Sequence, residues 1–405
     1  MCGLCLPHCP TYVKTRNEAE SPRGRISLIS ALLADRLPLT DKLESHLSNC
    51  LSCRACEDVC PSEVAYGALM DGARAVIETR RQRPWLQRTL RRLGLAVVTH
   101  KRVFRLAASA LRVYQRIGLQ NLMLRLGLFK RLNGLLPPLT KASPLHAYYP
   151  NKTQQHTRGD VALFTGCVSA ALDRQTIDAA IALLTHCGYG VYVPPQQTCC
   201  GALHQHDGEP ASAERLAAKN VKAFDLPVDA VLSAVSGCSA RLLEYPAPMG
   251  EKVRDISEFL ATTPWPEGMK LRPLNQRVVV HDPCSLVRVL HQQHHAYALL
   301  KRVPGIELLP LPGNMRCCGA AGSYMLTHAA MADELLADKL DAITATQADI
   351  LVTSNVGCAL HMMRGVRGMG SALEIVHPIV LLARQLEIDS PAPLDNPEKT
   401  GILMQ

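Results

Sequence analysis

At 405 residues the chain is too long for one small cluster-binding module, and we expect two or three domains with separate cores. Its 16 cysteines, several of them two or three residues apart, favour metal ligation over a disulfide framework. No uncharged apolar run reaches the roughly 18 residues that a membrane-spanning helix needs. The net charge of +9 is regional, because residues 79–159 contain 17 Lys or Arg and no Asp or Glu.

The chain opens with MCGLCLPHCP, which is the bacterial ferredoxin motif CxxCxxCxxxCP without its first cysteine. We expect that the true start lies upstream or that the sequence begins inside a longer chain. The reason is that Met1 occupies a position of the motif where any residue is allowed. A first cluster with an open or labile iron is the third explanation.

The segment CLSCRACEDVCP carries the complete motif and follows a predicted amphipathic helix in SPRGRISLISALLADR. In two-cluster ferredoxins the cysteine before the proline ligates the other cluster, so the spacing assigns seven cysteines to two [4Fe–4S] clusters. One cluster takes Cys9, Cys50, Cys53 and Cys56, and the other takes Cys2, Cys5 and Cys60. A four-cysteine zinc site is the alternative, but two interlocked runs favour iron–sulfur.

Residues 79–159 predict two or three basic amphipathic helices that end near Pro137, followed by a linker in SPLHAYYPNKTQQHTRGD. Two interpretations stay open. One is a solvated helical face, and the other is a contact surface for a partner or an anionic membrane, with Trp85, Phe104 and Phe129 on the lipid. Nucleic acid is the weakest candidate, because no recognised fold or set of base-stacking aromatic residues accompanies the charge.

The remaining sequence is duplicated, because VALFTGC, TCCGA and SGCSA recur as VVVHDPC, RCCGA and VGCAL at cysteine offsets of 117, 118 and 120 residues. Strand-like runs end close to these cysteines and alternate with helical patterns. This predicts two α/β units with mostly parallel sheets and cysteines at the carboxyl ends of strands. The candidate ligands are Cys167, Cys199, Cys200, Cys238, Cys284, Cys317, Cys318 and Cys358.

Other residues of the repeats are assigned structural roles. Cys187 is interpreted as a buried structural thiol, since free cysteine packs as a small hydrophobe. His281, His328 and His377 are interpreted as partners of a cluster or as core residues, and the HQQHHAY run as a solvated face.

The chain resembles the family of iron–sulfur subunits of bacterial glycolate oxidase (glycolate dehydrogenase), within a wider group with duplicated CCG domains that includes heterodisulfide reductases. The likeness rests on CGLCLPHCPTY, SPRGRISLI, CLSCRACEDVCPSEVAYGALMDGAR, HDPCSL, CCGAAGSYMLTH and NVGC, in family order. It implies an α+β multidomain fold. The expected parts are a two-cluster ferredoxin-like domain at 1–78, a basic amphipathic helical region and linker at 79–159, and CCG domains at 160–275 and 276–390.

The resemblance also implies that the CCG domains hold iron–sulfur clusters. Such domains normally close with CxxC, and here Arg241 and His361 replace the last cysteine. A five-cysteine cluster is therefore in doubt, whereas an ordinary cluster or a His361 ligand stays open.

No GxGxxG follows a predicted strand, so the chain itself shows no flavin or nicotinamide site. The resemblance implies an electron-transfer subunit whose flavin-bearing partner subunits hold FAD and oxidise a 2-hydroxy acid such as glycolate. Electrons would pass on to quinone, in the cytoplasm or at the inner face of the cell membrane. No catalytic residue is assigned.

Three other functions stay open: a thiol/disulfide reductase of heterodisulfide type, the iron–sulfur subunit of a lactate or glycerol-3-phosphate dehydrogenase, and a scaffold whose thiols bind zinc or pair as disulfides. Arg241 and His361 count against the first of these, because its chemistry rests on complete CCG clusters.

Overall fold

The chain is represented by a computed structural model, which describes residues 2–81, 84–139, 143–153 and 158–387, without the side chains at 87, 88 and 102. The front segment is a helical unit whose loops carry cysteines. Its helices are α1 (Pro10–Thr15), α2 (Pro22–Leu33), α3 (Asp41–Ser48), α4 (Ala55–Asp58) and α5 (Tyr66–Arg80), with a 3₁₀ turn at Glu18–Glu20.

Helix α2 starts where the side chain of Ser21 accepts a hydrogen bond from the backbone N–H of Gly24 and Pro22 fills the first turn. Its apolar face packs on α3 and α5. Leu32, Leu47 and Met70, one from each helix, are buried in the common core of this segment.

The basic region forms four helices, more than the two or three that the sequence predicts. They are α6 (Trp85–Thr99), α7 (Lys101–Arg116), α8 (Leu119–Arg125) and α9 (Lys130–Leu135). Each of the last two begins directly after a residue with a left-handed backbone, Gly118 before α8 and Phe129 before α9. Helix α9 then packs on a helix of the second repeat.

The first repeat is built on a five-stranded sheet of order β1-β3-β2-β4-β5, parallel except for β1. The strands are β1 (Tyr148–Tyr149), β2 (Asp160–Phe164), β3 (Gly190–Tyr192), β4 (Ala230–Ser233) and β5 (Val253–Asp255). The helices are α10 (Val168–Leu172), α11 (Arg174–His186), α12 (Ala202–His206), α13 (Pro210–Ala223), α14 (Ser236–Leu242), α15 (Met249–Lys252) and α16 (Ile256–Thr262). Strand β1 lies in the predicted linker, where Tyr148 pairs with Tyr192 at the sheet edge; residues 154–157 of that linker lie outside the described part.

The second repeat has a parallel sheet of order β7-β6-β8-β9, which reproduces β3-β2-β4-β5. The strands are β6 (Arg277–His281), β7 (Glu307–Pro310), β8 (Ile350–Thr353) and β9 (Glu374–Val376). The helices are α17 (Gln293–Leu300), α18 (Tyr324–Thr327), α19 (Ala329–Thr346), α20 (Val356–Gly368) and α21 (Pro378–Gln385), with a π-helical turn at Leu286–Leu290. The equal strand order confirms the duplication and the parallel sheets that the sequence predicts.

The two repeats share one apolar core. Side chains such as Leu163 and Val280, which point to one face of their sheets, meet there with α11 and α21, which pack on each other. The alternate residues Ala162 and Val279 face two outer cores that contain the repeat cysteines. Among the described residues, no helix combines the length and apolar character needed to cross a membrane.

Candidate iron–sulfur sites

The front segment gathers four cysteines around one cavity. Cys9 precedes α1, Cys50 and Cys53 lie in the loop after α3, and Cys56 lies in α4. These are the four that the sequence assigns to one [4Fe–4S] cluster. All sixteen cysteines lie in the described part of the chain, and each has a free thiol.

The chemistry of this cavity suits an iron–sulfur cluster. Burial raises the pKa of the Cys53 and Cys56 thiols, so thiolates at these positions need a compensating cation. The buried hydroxyl of Tyr66, whose residue lines the cavity, has no hydrogen-bond partner within the described structure. A ferric or ferrous cluster supplies both the positive charge and sulfur acceptors.

Arg25 provides a fixed positive charge beside this cavity, and the sequence analysis did not assign it a role. Its side chain is 1% exposed, Nη2 lies 2.6 Å from Glu20 Oε2, and Nη1 lies 3.9 Å from Cys9 Sγ. Burial alone would lower the pKa of Arg25, but the nearby acidic groups, Cys50 first among them, raise it overall. The SPRGR stretch thus places a permanent cation against the predicted ligands.

Gly24, the glycine of the SPRGR stretch, also has a structural role. A Cβ on Gly24 would lie 1.9 Å from the carbonyl oxygen of Glu18, so only glycine fits the contact between α2 and the preceding 3₁₀ turn. This contact holds Glu20 within reach of Arg25. The signal was present in the sequence as a glycine inside a predicted helix.

The other three front cysteines are more exposed. Cys2 is exposed, and Cys5 and Cys60 are half-buried. Burial is the largest influence on the Cys5 thiol and raises its pKa, with smaller contributions from Cys9 and Cys2. Cys60 follows α4 by two residues. The structure therefore places Cys5 within electrostatic range of Cys2.

In the first repeat, four thiols form two close pairs. The Sγ atoms of Cys167 and Cys199 lie 3.4 Å apart, and those of Cys200 and Cys238 lie 3.5 Å apart. Gly201 has a φ of +85°, and its N–H donates to Cys199 Sγ over 3.5 Å. The glycine therefore turns the chain around the sulfurs.

Arg241, at the position of the missing fifth cysteine, stays close to this group. It pairs with Glu244 at 2.5 Å, and its charge contributes to lowering the pKa of Cys200. The larger influence on Cys200 is hydrogen bonding from Cys199 and Cys238, so one thiolate is stabilised among neighbouring thiols.

In the second repeat, the Cys317 thiol is the largest influence that raises the pKa of Cys284, and the Cys358 thiol contributes to raising that of Cys318. The same cysteines are therefore neighbours as in the first repeat. Gly319 has a φ of +87°, and a Cβ there would lie 2.8 Å from the carbonyl oxygen of Ala332. The glycine of the CCG triplet therefore has the same left-handed conformation in both repeats.

Two further groups distinguish the second repeat. The ligand atoms of His281, Cys318 and Cys358, all buried, lie within 4.8 Å of one another. Burial lowers the pKa of His281 to about 3, so its imidazole is neutral. The buried Lys339 donates from Nζ to the carbonyl oxygen of Gly313 over 2.8 Å and lies in electrostatic range of the same cysteines.

His361, the alternative ligand of the sequence analysis, lies outside this group of ligand atoms. Its Nε2 lies 3.2 Å from the carbonyl oxygen of Ala332 in α19, and its Nδ1 has no partner within the described residues. Cys187 and the HQQHHAY run have the predicted environments. Cys187 is fully buried in the shared core, and His291 and His294 are exposed.

The front cavity adjoins the second repeat. Cys53, Cys284 and Cys317 pack into one apolar cluster with Leu51. Beside it, the hydroxyl of Tyr324 donates to Asn49 Oδ1 over 2.5 Å.

The neighbouring His328 ring stacks on Tyr324, and its Nε2 lies 3.1 Å from Ser48 Oγ. The SYMLTH stretch therefore joins the second repeat to the cluster loop.

The front segment also touches the first repeat. Asp71 in α5 pairs with His206 in α12 at 3.1 Å. The two repeats meet through Ser236, whose Oγ accepts hydrogen bonds from Ser285 Oγ at 2.8 Å and Asn355 Nδ2 at 3.2 Å. The three cysteine-bearing parts of the chain are thus in direct contact.

Comparison with known protein families matches each part of the chain. Residues 1–64 match the 4Fe-4S dicluster domain, residues 86–141 the linker region of the glycolate oxidase iron-sulfur subunit, and residues 161–242 and 278–363 the cysteine-rich domain. The chain therefore binds iron–sulfur clusters and consists of the front domain, linker and two repeats that the sequence predicts.

Three curated proteins illustrate the similarity. The "Probable glycolate oxidase iron-sulfur subunit" of Bacillus subtilis (strain 168) is 34% identical over 94% of this chain and 92% of its own length. The "Glycolate oxidase iron-sulfur subunit" of Escherichia coli (strain K12) is 31% identical over 89% of this chain and 88% of its own length. "Lactate utilization protein A" of Geobacillus sp. (strain WCH70) is 24% identical over 54% of this chain and 96% of its own length. With this extent of identity, the chain belongs to the family of glycolate oxidase iron–sulfur subunits.

Proposed function

We propose that this chain is the electron-transfer subunit of a flavin-dependent 2-hydroxy-acid dehydrogenase that acts on glycolate. The observation that carries the proposal is the gathering of Cys9, Cys50, Cys53 and Cys56 around one cavity that adjoins the cysteines of the second repeat. Clusters bound at such sites supply one-electron carriers close to one another. The family membership supports the substrate class.

The front ligand sets follow the cysteine motif, and the cavity supports the first of them. Two [4Fe–4S] clusters occupy the front domain, one on the four cysteines of the cavity and the other on Cys2, Cys5 and Cys60. The eight repeat cysteines hold further clusters. Arg25 and Lys339 lie close enough to these sulfurs to offset the negative charge of thiolate ligation.

The oxidation of the hydroxy acid takes place on other subunits. These partners carry the FAD, and this chain delivers electrons to a quinone. The absence of a dinucleotide-binding motif in the sequence supports this division. We propose the domain division that the sequence predicts, with boundaries after residues 78, 159 and 275. The first boundary lies near the end of α5, directly before the basic region.

The basic region is the surface for peripheral membrane contact in the cytoplasm. Its helices expose large apolar side chains, with Trp85 71% exposed, Leu106 72% and Phe129 70%. Arginines and lysines surround these side chains, and no acidic residue occurs between 79 and 159. A surface that is both apolar and positive fits the interface of an anionic membrane, where a quinone would be reached.

The test is iron and acid-labile sulfide per chain in protein purified without air. We expect Cys50→Ala to lose about four irons, one cluster, and Cys187→Ala to lose none, because Cys187 is buried in a core without other cysteines. Zinc in place of iron and sulfide, or equal iron in both variants, would refute the assignment. Co-purification with flavin-bearing subunits and glycolate-dependent reduction of a quinone test the remaining parts.

A further inference from the structure

The second repeat holds a nitrogen donor that the first repeat lacks. His281 ends β6, three residues before Cys284, and the equivalent position in the first repeat, three residues before Cys167, is Phe164. The ligand atoms of His281, Cys318 and Cys358 lie within 4.8 Å of one another and are buried. The two repeats therefore offer different donor sets within the same backbone geometry.

The sheet fixes the direction of the imidazole. His281 and Thr353 are register partners on β6 and β8, and His281 Nδ1 lies 2.9 Å from Thr353 Oγ1. With Nδ1 occupied by this hydrogen bond, Nε2 is the nitrogen that is offered to a metal. Proteins usually orient a histidine ligand in this way, through a hydrogen bond at the ring nitrogen that does not bind the metal.

The spacing from the nearest cysteine, taken alone, favours His361 as the ligand and not His281. His361 follows Cys358 by three residues, as the last cysteine of a CxxC pair would. Its Nε2, however, is engaged by the carbonyl oxygen of Ala332 at 3.2 Å. His361 is also not part of the group formed by the ligand atoms of His281, Cys318 and Cys358. The structure thus separates the two candidates.

We infer that Nε2 of His281 ligates the cluster of the second repeat together with cysteine thiolates, whereas the first repeat binds through thiolates without a histidine. This inference rests on the proposed presence of a cluster in that repeat. Replacing an anionic thiolate by a neutral imidazole raises the reduction potential of an iron–sulfur cluster. The second-repeat cluster would therefore have the higher potential of the two and favour the reduced state.

The test uses the full chain, purified without air and partly reduced, with pulsed electron paramagnetic resonance to detect nitrogen bound directly to a cluster. We expect this nitrogen coupling in the unmodified chain. His281→Cys should abolish the coupling, keep the iron content and lower the potential of one cluster, because it supplies a thiolate. His281→Phe, which copies the first repeat, should also abolish it.

His361→Gln is the matched control, since an amide keeps a donor toward Ala332. We expect it to retain the coupling. Coupling that survives in His281→Cys, or that disappears in His361→Gln, would overturn the inference.

Iron analysis separates the two proposals. Two front clusters alone would give a total near eight irons, about four for each cluster. If the chain contains this total and the total does not fall in Cys318→Ala, the second-repeat cluster is refuted, and the inference with it. A higher total that falls in Cys318→Ala, without nitrogen coupling in the unmodified chain, would refute the histidine ligand alone.

Discussion

Arg25→Met should strongly destabilise the front domain. Arg25 and Glu20 are buried, at 1% and 7% side-chain exposure, and the guanidinium also donates to the carbonyl oxygen of His46 over 2.8 Å and to Thr11 Oγ1 over 3.1 Å. Removing one partner of a buried ion pair costs about 3–5 kcal/mol, because the other charge stays buried without compensation. Glu20 keeps a hydrogen bond from Asn49 at 2.7 Å and its contact with His46 Nδ1 at 2.6 Å, so we expect the lower end of this range, about 3 kcal/mol.

The assay is urea unfolding of the full chain purified without air, followed by the visible absorption of the clusters and by circular dichroism. Arg23→Met is the matched control, because Arg23 pairs with Glu18 at 33% and 49% exposure and should contribute about 0–1 kcal/mol. The double variant Glu20→Gln/Arg25→Met should lose less than the sum of its single changes. The reasoning fails if Arg25→Met costs no more than Arg23→Met, or if the double variant is additive.

Three further outcomes are expected. Gly319→Ala should lower the melting temperature and the iron content of the second repeat, because its Cβ would lie 2.8 Å from a carbonyl oxygen. The control Gly313→Ala, at a position with a φ of +71° and nothing within 4 Å, should cost only about 1–2 kcal/mol of stability. Equal losses in the two variants would contradict this reasoning. Burial raises the pKa of Asp255 from 3.8 to about 6, so its stabilising contribution is complete below pH 3.8 and about 3 kcal/mol is lost as the pH rises to about 6. Asp255→Asn should remove that loss in urea unfolding measured across this range, and an unchanged slope would be the contrary result. Leu106→Glu should weaken binding to anionic vesicles about tenfold in a sedimentation assay, since burying one leucine is worth about 1.5–3 kcal/mol. The control is Leu243→Glu on the first repeat, where Leu243 is 44% exposed, and it should not weaken binding. Equal binding of both variants would argue against the membrane surface.

The sequence by itself determined the composition of the front site and the architecture of the repeats. The spacing CxxCxxC forces three thiols of one short loop into proximity, and the duplicated pattern of strand, cysteine and helix specifies two equal sheets. The glycine of each CCG triplet also follows from local geometry, since only a left-handed residue turns the chain around adjacent sulfurs. These features depend on neighbours along the chain, and local patterns report them.

The tertiary structure alone decided how the sites relate to one another. Cys53 meets Cys317, and Arg25 meets Glu20 and Cys9, through the packing of separate segments, which no periodicity encodes. Spacing singled out His361, but the register of β6 with β8 brings His281 to the sulfurs instead. The short strand β1 was missed for the same reason, because two tyrosines become a strand only when a sheet edge offers hydrogen bonds to them.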